Sequence, residues 1–278
     1  MYLRPTDLSA ALSALKSGQW VVLAGGTDFY PARVGQPLPE AILDITALAG
    51  LRGVSEESTG YRIGALTTWS ALLAAPLPSV FDGLRRAARE IGGRQVQNAA
   101  TLAGNICNAS PAADGIPALL ALDAEIELSA QHGTRRLPLA AFVAGSRRAL
   151  CRPDELVTAI VVPRWSGRAR STFLKLGARR YLVISIVMVA ATLDVSAEGS
   201  VARVAVAVGA CSEVAQRLPG LEAKLLGRPL GPTLADLVCP DDIAVLNPIS
   251  DVRGSAQYRY DAALTLVRRA LTELGTQP

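Results

Sequence analysis

IGGRQVQNAATLAGNICNASPAADGIPALLALD, residues 91–123, is the most informative segment of the chain. Gly92, Gly93, Gly104 and Gly115 punctuate it. Asn98, Thr101, Asn105, Asn108 and Ser110 sit among small neighbours, and an apolar segment at 116–122 runs into Asp123. A core-forming strand or helix gains little from so many small polar side chains. A backbone that approaches a ligand closely gains more, because glycine removes the side chain and leaves N–H groups bare. The stretch therefore reads as a binding loop, with the rest of the chain as its support.

Upstream lies a second place of the same kind. An apolar strand at 20–23 runs directly into Ala24-Gly25-Gly26-Thr27-Asp28, and Asp28 is expected to cap a short helix over 29–34. Strand, glycine turn and helix start in that order aim amide groups at an anion. Before it, Thr6 is expected to cap a helix with Leu8, Leu12 and Leu15 on one face and Gly18 past its end. After Pro37 and Pro39 come a strand at 41–45 and a hairpin of 52–55 with 61–65. Thr68 starts a helix, and a longer one is expected over 76–90. Inside the opening stretch, Ser110 followed by Pro111 reads as a helix start, while Asp114 offers an alternative cap for a helix over 115–122.

Downstream, strands are expected at 125–128, 136–143 and 156–163, with a turn at His132, then a basic linker at 164–168. Strands at 171–176, 185–194 and 201–208 precede helices near 220–226, 233–237 and 258–274. Strands first and helices afterwards indicate an α+β domain from about residue 166. No internal repeat interrupts this order.

Half of the 278 residues are apolar and 19% are charged, enough for sizeable cores in two domains. The formal charge is +4, but pairs such as Arg85-Arg86, Arg179-Arg180 and Arg268-Arg269 are scattered. A nucleic-acid footprint would be concentrated on one element, so that class is set aside. The dispersed arginines are expected to meet phosphates or an acidic partner subunit. The start resembles no signal peptide, and no apolar run has the length to span a bilayer, so a cytoplasmic place without membrane insertion is expected. Cys107, Cys151, Cys211 and Cys239 form no CxxC pair, and His132 is the single histidine. Triads and multi-histidine metal sites are thereby excluded, and any chemistry here needs a cofactor.

LAGGTD at 23–28 and TLAGNICNASPAAD at 101–114, preceded by IGGRQVQN, together resemble the FAD-binding subunit of the molybdenum hydroxylases. This is the medium chain of bacterial xanthine dehydrogenase and carbon monoxide dehydrogenase complexes. FLKLGARR at 173–180, LLGRPL at 225–230 and SDVRGSAQYRYDAALTLVRRAL at 250–271 are similar to later parts of the family, so the likeness covers nearly the whole chain. It implies an α+β fold. A vanillyl-alcohol-oxidase-type FAD module would occupy 1–165, in subdomains of about 1–50 and 51–165, followed by a C-terminal flavoprotein domain at 166–278.

The resemblance further implies that the FAD pyrophosphate lies between the two glycine-rich segments. Ala24, Gly25, Gly26, Thr27 and Asp28 would stand on one side, and Thr101, Leu102, Ala103, Gly104 and Asn105 on the other. A diphosphate needs several unobstructed donors, each charge-assisted bond contributing roughly 1.5–3 kcal/mol. Asp114 is implied near the cofactor, accepting from a ribityl or ribose hydroxyl, capping its helix, or both. Lys175 matches the family's lysine at the flavin side, with an ordinary solvated strand lysine as the plain reading. Val183 or Ile184 falls where the chain faces the isoalloxazine ring. Many relatives have an acidic residue and then Ile-Ala here; Tyr181-Leu182-Val183-Ile184-Ser185 departs from that and leaves the acceptor open.

The implied role is electron transfer without a catalytic side chain. A molybdopterin-binding large subunit and a [2Fe–2S] small subunit would complete a heterotrimer, itself able to dimerise. Electrons would pass through FAD to NAD, oxygen or a quinone. The alternatives are a stand-alone flavin oxidase or reductase of the same superfamily and a scaffold that has lost its cofactor.

Overall fold

Short parallel strands and one helix build the first unit. The computed structural model describes residues 1–276. β1 (Tyr2–Leu3), helix α1 (Leu8–Ser17), β2 (Val21–Leu23) and β3 (Ile42–Asp44) give a parallel sheet in the order β1-β3-β2. The helix cap is Asp7, not Thr6: the Asp7 carboxylate accepts from the Ala10 amide at 2.9 Å. Leu12 and Leu15 pack with Leu43, Ile45 and Leu48 in a small core of their own. The helix expected after Asp28 shrinks to one 3-10 turn at Pro31–Arg33, because Gly35, at φ +75°, and Pro37 end it at once.

The second unit combines an antiparallel sheet with short helices. In chain order it has β4 (Val54–Glu57), β5 (Gly60–Gly64), α2 (Trp69–Ala74), α3 (Asp82–Glu90), α4 (Arg94–Ala99), α5 (Leu102–Asn108) and α6 (Gly115–Ala121). Then come β6 (Glu125–Ala130), β7 (Gly133–Pro138), α7 (Leu139–Phe142), a small ribbon of β8 (Val143–Gly145) with β9 (Arg148–Ala149), and β10 (Leu156–Pro163). The sheet order is β4-β5-β10-β6-β7. Thr68 caps α2 as expected. The helix expected from 76 starts only at Asp82, since Pro76 and Pro78 disfavour helical backbone in the residues before them. The strand expected over 136–143 ends at Pro138, where the chain turns into α7.

The opening stretch is not a loop. Residues 91–123 fold largely as α4, α5 and α6, and every residue of α6 is buried. Small side chains here let short helices lie close together instead of leaving the backbone open. Ser110 and Pro111 form a turn after Ala109, whose left-handed backbone (φ +45°) ends α5, and not a helix start.

The third unit has β11 (Arg170–Leu176), β12 (Val187–Val195), β13 (Val201–Gly209) and β14 (Gln216–Arg217) paired antiparallel in sequence order, with α8 (Pro219–Leu225) and α9 (Ala256–Thr276). Both faces of this sheet are covered. Val189, Ala191 and Leu193 meet Val267 and Leu271 of α9 in one core, while Met188, Ala190, Ala205 and Ala207 join the core of the second unit. Burial on both sides explains why β12 reads as a continuous apolar run rather than an alternating one. α3 lies on β11, and α6 on β12 and β13, so the second and third units share one packed interior.

A polar clasp backs this contact. Asp123, in left-handed backbone at φ +54°, accepts from Arg203 on β13 and Arg217 on β14, and the Arg203 guanidinium lies 3.6 Å over the Trp165 ring. Asn tolerates the same backbone, so Asp123→Asn removes the charge and one of the two acceptor oxygens without straining the chain. Because the groups are partly solvated, the expected loss is about 1 kcal/mol at low salt, reduced in molar salt. Urea midpoints at both ionic strengths measure it; identical midpoints for variant and parent would show that the clasp contributes nothing.

Candidate functional site

A cleft of about 900 Å³ runs between the first unit, the α4–α6 region, and Lys175 with the Val183–Ile184 turn of the third unit. One wall is the turn leaving β2. Ala24, Gly25, Gly26, Thr27 and Asp28 all line the cleft. Among the described residues, the amides of Gly25, Gly26, Thr27 and Asp28 donate to no protein acceptor. Gly26 takes φ +74°, which turns the chain so that its carbonyl accepts from the Tyr30 amide. Gly25 is required for a different reason: a Cβ there would stand 2.0 Å from the Ala99 carbonyl oxygen. The two glycine-rich segments therefore touch backbone to backbone, and Gly25 is the contact.

The opposite wall is less open than the sequence suggests. Thr101 caps α5 by accepting from the Gly104 amide at 3.0 Å, the Leu102 amide donates to the Thr67 carbonyl, and the Asn105 amide to the Thr101 carbonyl. Of the first turn only the Ala103 amide has no acceptor among the described residues. Thr101, Ala103, Gly104 and Asn105 line the cleft. Leu102 does not: its side chain is fully buried in the core, so it offers the cleft neither a donor nor a surface. In place of amides this wall presents a side-chain acceptor, since Asn105 Oδ1 is buried without a partner. Trp69 Nε1, also buried without a partner, belongs to another lining residue, one that reads in the sequence only as part of an apolar helix. Gly115 makes room for both, because a Cβ there would lie 2.6 Å from the Trp69 ring and 2.8 Å from Asn105 Oδ1.

The far end of the cleft brings Asp114 and Lys175 together. Lys175 Nζ donates to Asp114 Oδ2 at 2.7 Å, with the two side chains only 6% and 8% exposed. Ser185 donates to the other carboxylate oxygen, and Lys175 also reaches the Glu90 carbonyl. Asp114 thus caps no helix through its side chain, and Lys175 is not a solvated strand lysine. Burial pushes the Asp114 carboxyl above its ordinary range, while Lys175 and Ser185 pull it back. Beside the pair, Val183 and Ile184 line the cleft as an apolar edge. Cys107 opens into the cleft too, and the protein walls around it push its thiol up to about 12. His132 stands on the β6–β7 turn and does not line the cleft.

Residues 1–165 match the family described as the FAD binding domain in molybdopterin dehydrogenase. The chain belongs to this family. Residues 172–274 match the CO dehydrogenase flavoprotein C-terminal domain. The flavoprotein is 32% identical to the glyceraldehyde dehydrogenase medium chain of Sulfolobus acidocaldarius, over 98% of this chain and 97% of that one. It is 26% identical to the nicotinate dehydrogenase FAD-subunit of Eubacterium barkeri, over 91% of this chain and 87% of the other. Among solved structures, reconstituted CO dehydrogenase from Oligotropha carboxidovorans superposes with a TM-score of 0.90 at 26% identity, covering 100% of this chain and 98% of that chain. The family is one of oxidoreductase subunits and its cofactor is FAD. Among the described residues no helix is long and apolar enough to cross a membrane.

The cleft fits that cofactor. The unbonded amides of the first segment and Ala103 suit a diphosphate, the orphaned Asn105 oxygen suits a hydroxyl or amino donor, and the volume lies in the range of cofactor sites.

The buried pair predicts a pH-dependent loss. With its folded pKa above the unfolded value, the Asp114 carboxylate lowers stability as pH rises through that window, and removing Lys175 widens the window. Lys175→Met is expected to cost about 3–5 kcal/mol at neutral pH, with the loss shrinking on acidification as Asp114 takes up a proton. Urea unfolding across a pH series measures this; a penalty that does not change with pH would show that the unpaired carboxylate is not its source.

Proposed function

We propose that this flavoprotein is the electron-transferring subunit of a molybdenum hydroxylase complex, assembled with a molybdopterin-binding large subunit and a [2Fe–2S] small subunit. What carries the reading is one continuous cleft that joins the free amides of residues 25–28 to the Asp114–Lys175 pair and the apolar Val183–Ile184 edge. Bound FAD would supply the redox chemistry, receiving electrons from the iron–sulfur subunit and releasing them to an external acceptor such as NAD, oxygen or a quinone. The chain itself binds, orients and shields. Gly25, Gly26, Thr27 and Asp28 would hold the diphosphate with Ala103, Asn105 would take a hydrogen bond, and Val183 and Ile184 would keep water from one edge of the ring. Asp114 and Lys175 would set the electrostatic surroundings at that end. Substrate would be transformed on the large subunit. Exposed apolar residues before α9, Val245, Ile249 and Val252 among them, are suited to partner contact. The domain limits 1–165 and 166–278 and a cytoplasmic location belong to the same proposal.

The test is spectroscopic. Purified protein supplied with FAD should show flavin absorbance and should co-purify with the two partner chains when they are expressed together. No flavin bands after supplementation would overturn the reading, and substrate turnover without molybdenum or iron–sulfur partners would replace it with a stand-alone oxidase. Gly104→Val places a side chain at the cleft wall against its own cap, 2.8 Å from Thr101 Oγ1. Losing that cap costs about 1 kcal/mol, so the variant should stay folded by circular dichroism yet lose at least tenfold in FAD affinity. Unchanged affinity would show that this wall does not face the cofactor.

A further inference from the structure

The third unit carries a group of reactive side chains away from the cleft. Lys224 lies in the last turn of α8, and Cys239 stands just before the 3-10 turn Pro240–Ile243. They are 15 residues apart in the chain, yet Lys224 Nζ lies 3.4 Å from Cys239 Sγ. Asp242 holds both. Its Oδ1 accepts from Lys224 Nζ at 2.7 Å. Its Oδ2 accepts from the Cys239 amide at 2.9 Å and from the Cys239 thiol at 3.2 Å. The Asp242 side chain is 3% exposed and acts as a fixed anchor, whereas that of Lys224 is 47% exposed and Cys239 is half-buried, so a small solute reaches the pair. The segment is itself fastened to α9, because Tyr260 donates to the Pro240 carbonyl and Arg268 to the Val238 carbonyl.

The other thiols have a different setting. Burial pushes Cys107 up to about 12, Cys151 to about 11 and Cys211 to about 12. Among the described residues Cys239 is the one thiol with a lysine nitrogen as hydrogen-bond partner. That contact matters because of what a thiol becomes on oxidation. Peroxide converts it to a sulfenic acid, whose sulfur is electrophilic and condenses with a nitrogen held next to it to give a sulfenamide.

We propose that Lys224 and Cys239 form a redox staple: on exposure to hydrogen peroxide the two side chains join through an N–S bond that ties α8 to the segment leading into α9. In the first step the sulfur attacks one peroxide oxygen. The S–H and O–O bonds break, an S–O bond forms, and the other oxygen leaves as water with the thiol proton, which Asp242 Oδ2 is placed to relay. Sulfur loses two electrons and the peroxide gains them. In the second step Lys224 Nζ, having released one proton to water, attacks the sulfur. An N–S bond forms, the S–O bond breaks, and the hydroxyl leaves as water with a second proton from nitrogen, so no further oxidant is consumed. Two equivalents of a thiol reductant return amine and thiol and become a disulfide. Covalent closure of the intervening segment restricts the unfolded chain, so the stapled form is the harder one to unfold.

The purified flavoprotein, treated with a small excess of hydrogen peroxide, is digested at neutral pH and its peptides are weighed. The expected product joins the Lys224 and Cys239 peptides, is lighter by two hydrogens than their sum, and comes apart in dithiothreitol. The urea midpoint should rise on oxidation and fall back on reduction. Lys224→Arg keeps a cation beside Asp242 but offers a permanently charged guanidinium in place of an amine. This variant should stop at a sulfenic acid that dimedone traps on Cys239, with no cross-link and no rise in midpoint. Cys239→Ser should give neither cross-link nor adduct at that position. Absence of the joined peptides from the oxidised parent chain overturns the proposal whether or not either variant folds. An equal yield of cross-link in Lys224→Arg overturns it too, as does oxidation of Cys239 to an intermolecular disulfide with Lys224 unmodified.

Discussion

A carboxylate and an ammonium shut away from water fix the geometry on which the site depends. Asp114 stands at the start of α6 and Lys175 near the end of β11, so their contact ties the second structural unit to the third at the floor of the cleft. Neither group is tolerable there alone: an uncompensated buried charge costs more than the pair contributes. Ser185 satisfies a further lone pair and brings the start of the third unit's second strand to the same point. The apolar edge at Val183 and Ile184 follows immediately before it in the chain, so its position is inherited from the pair.

The glycine-rich end of the cleft depends on contact between backbones rather than on charge. Gly25 lies against the Ala99 carbonyl, and a Cβ at that position has nowhere to go. The two walls are therefore set at a fixed separation. They are also unequal. The turn after β2 keeps four neighbouring amides unbonded, whereas Thr67 and Thr101 absorb nearly all the donors of α5. The second wall compensates with polar side-chain atoms, Asn105 Oδ1 and Trp69 Nε1, which remain without protein partners. Donors from one wall, and an acceptor with one indole donor from the other, suit a ligand with phosphates at one part and hydroxyl or amino groups at another.

Much of this was readable in the residues. The strands at 156–163 and 201–208, the helix starting after Thr68 and the final helix lie where periodicity and capping put them, because each buries a simple apolar pattern. Reading 91–123 as a loop failed, since small polar residues signal close approach without saying what approaches. For α6 the answer is the third unit's sheet and the helices beside it, not solvent, and for Gly25 it is another stretch of protein backbone. The Thr6 cap missed by one residue, an ambiguity that two adjacent capping side chains always leave. Trp69 and Ser185 gave no sign of belonging to the site, because an apolar aromatic and a strand serine look alike wherever they face.

Local residue type and order were enough for the α+β class, the family and the two glycine-rich segments that face each other across the cleft. Only the tertiary structure decided that Asp114 pairs with Lys175, that Leu102 belongs to the core, and that Arg89 meets Arg179 and Arg180 around one hollow. Those facts join residues far apart in the chain. No local pattern records such a meeting; it arises when α3 and α6 pack on the third unit's sheet and bring their ends to its strands.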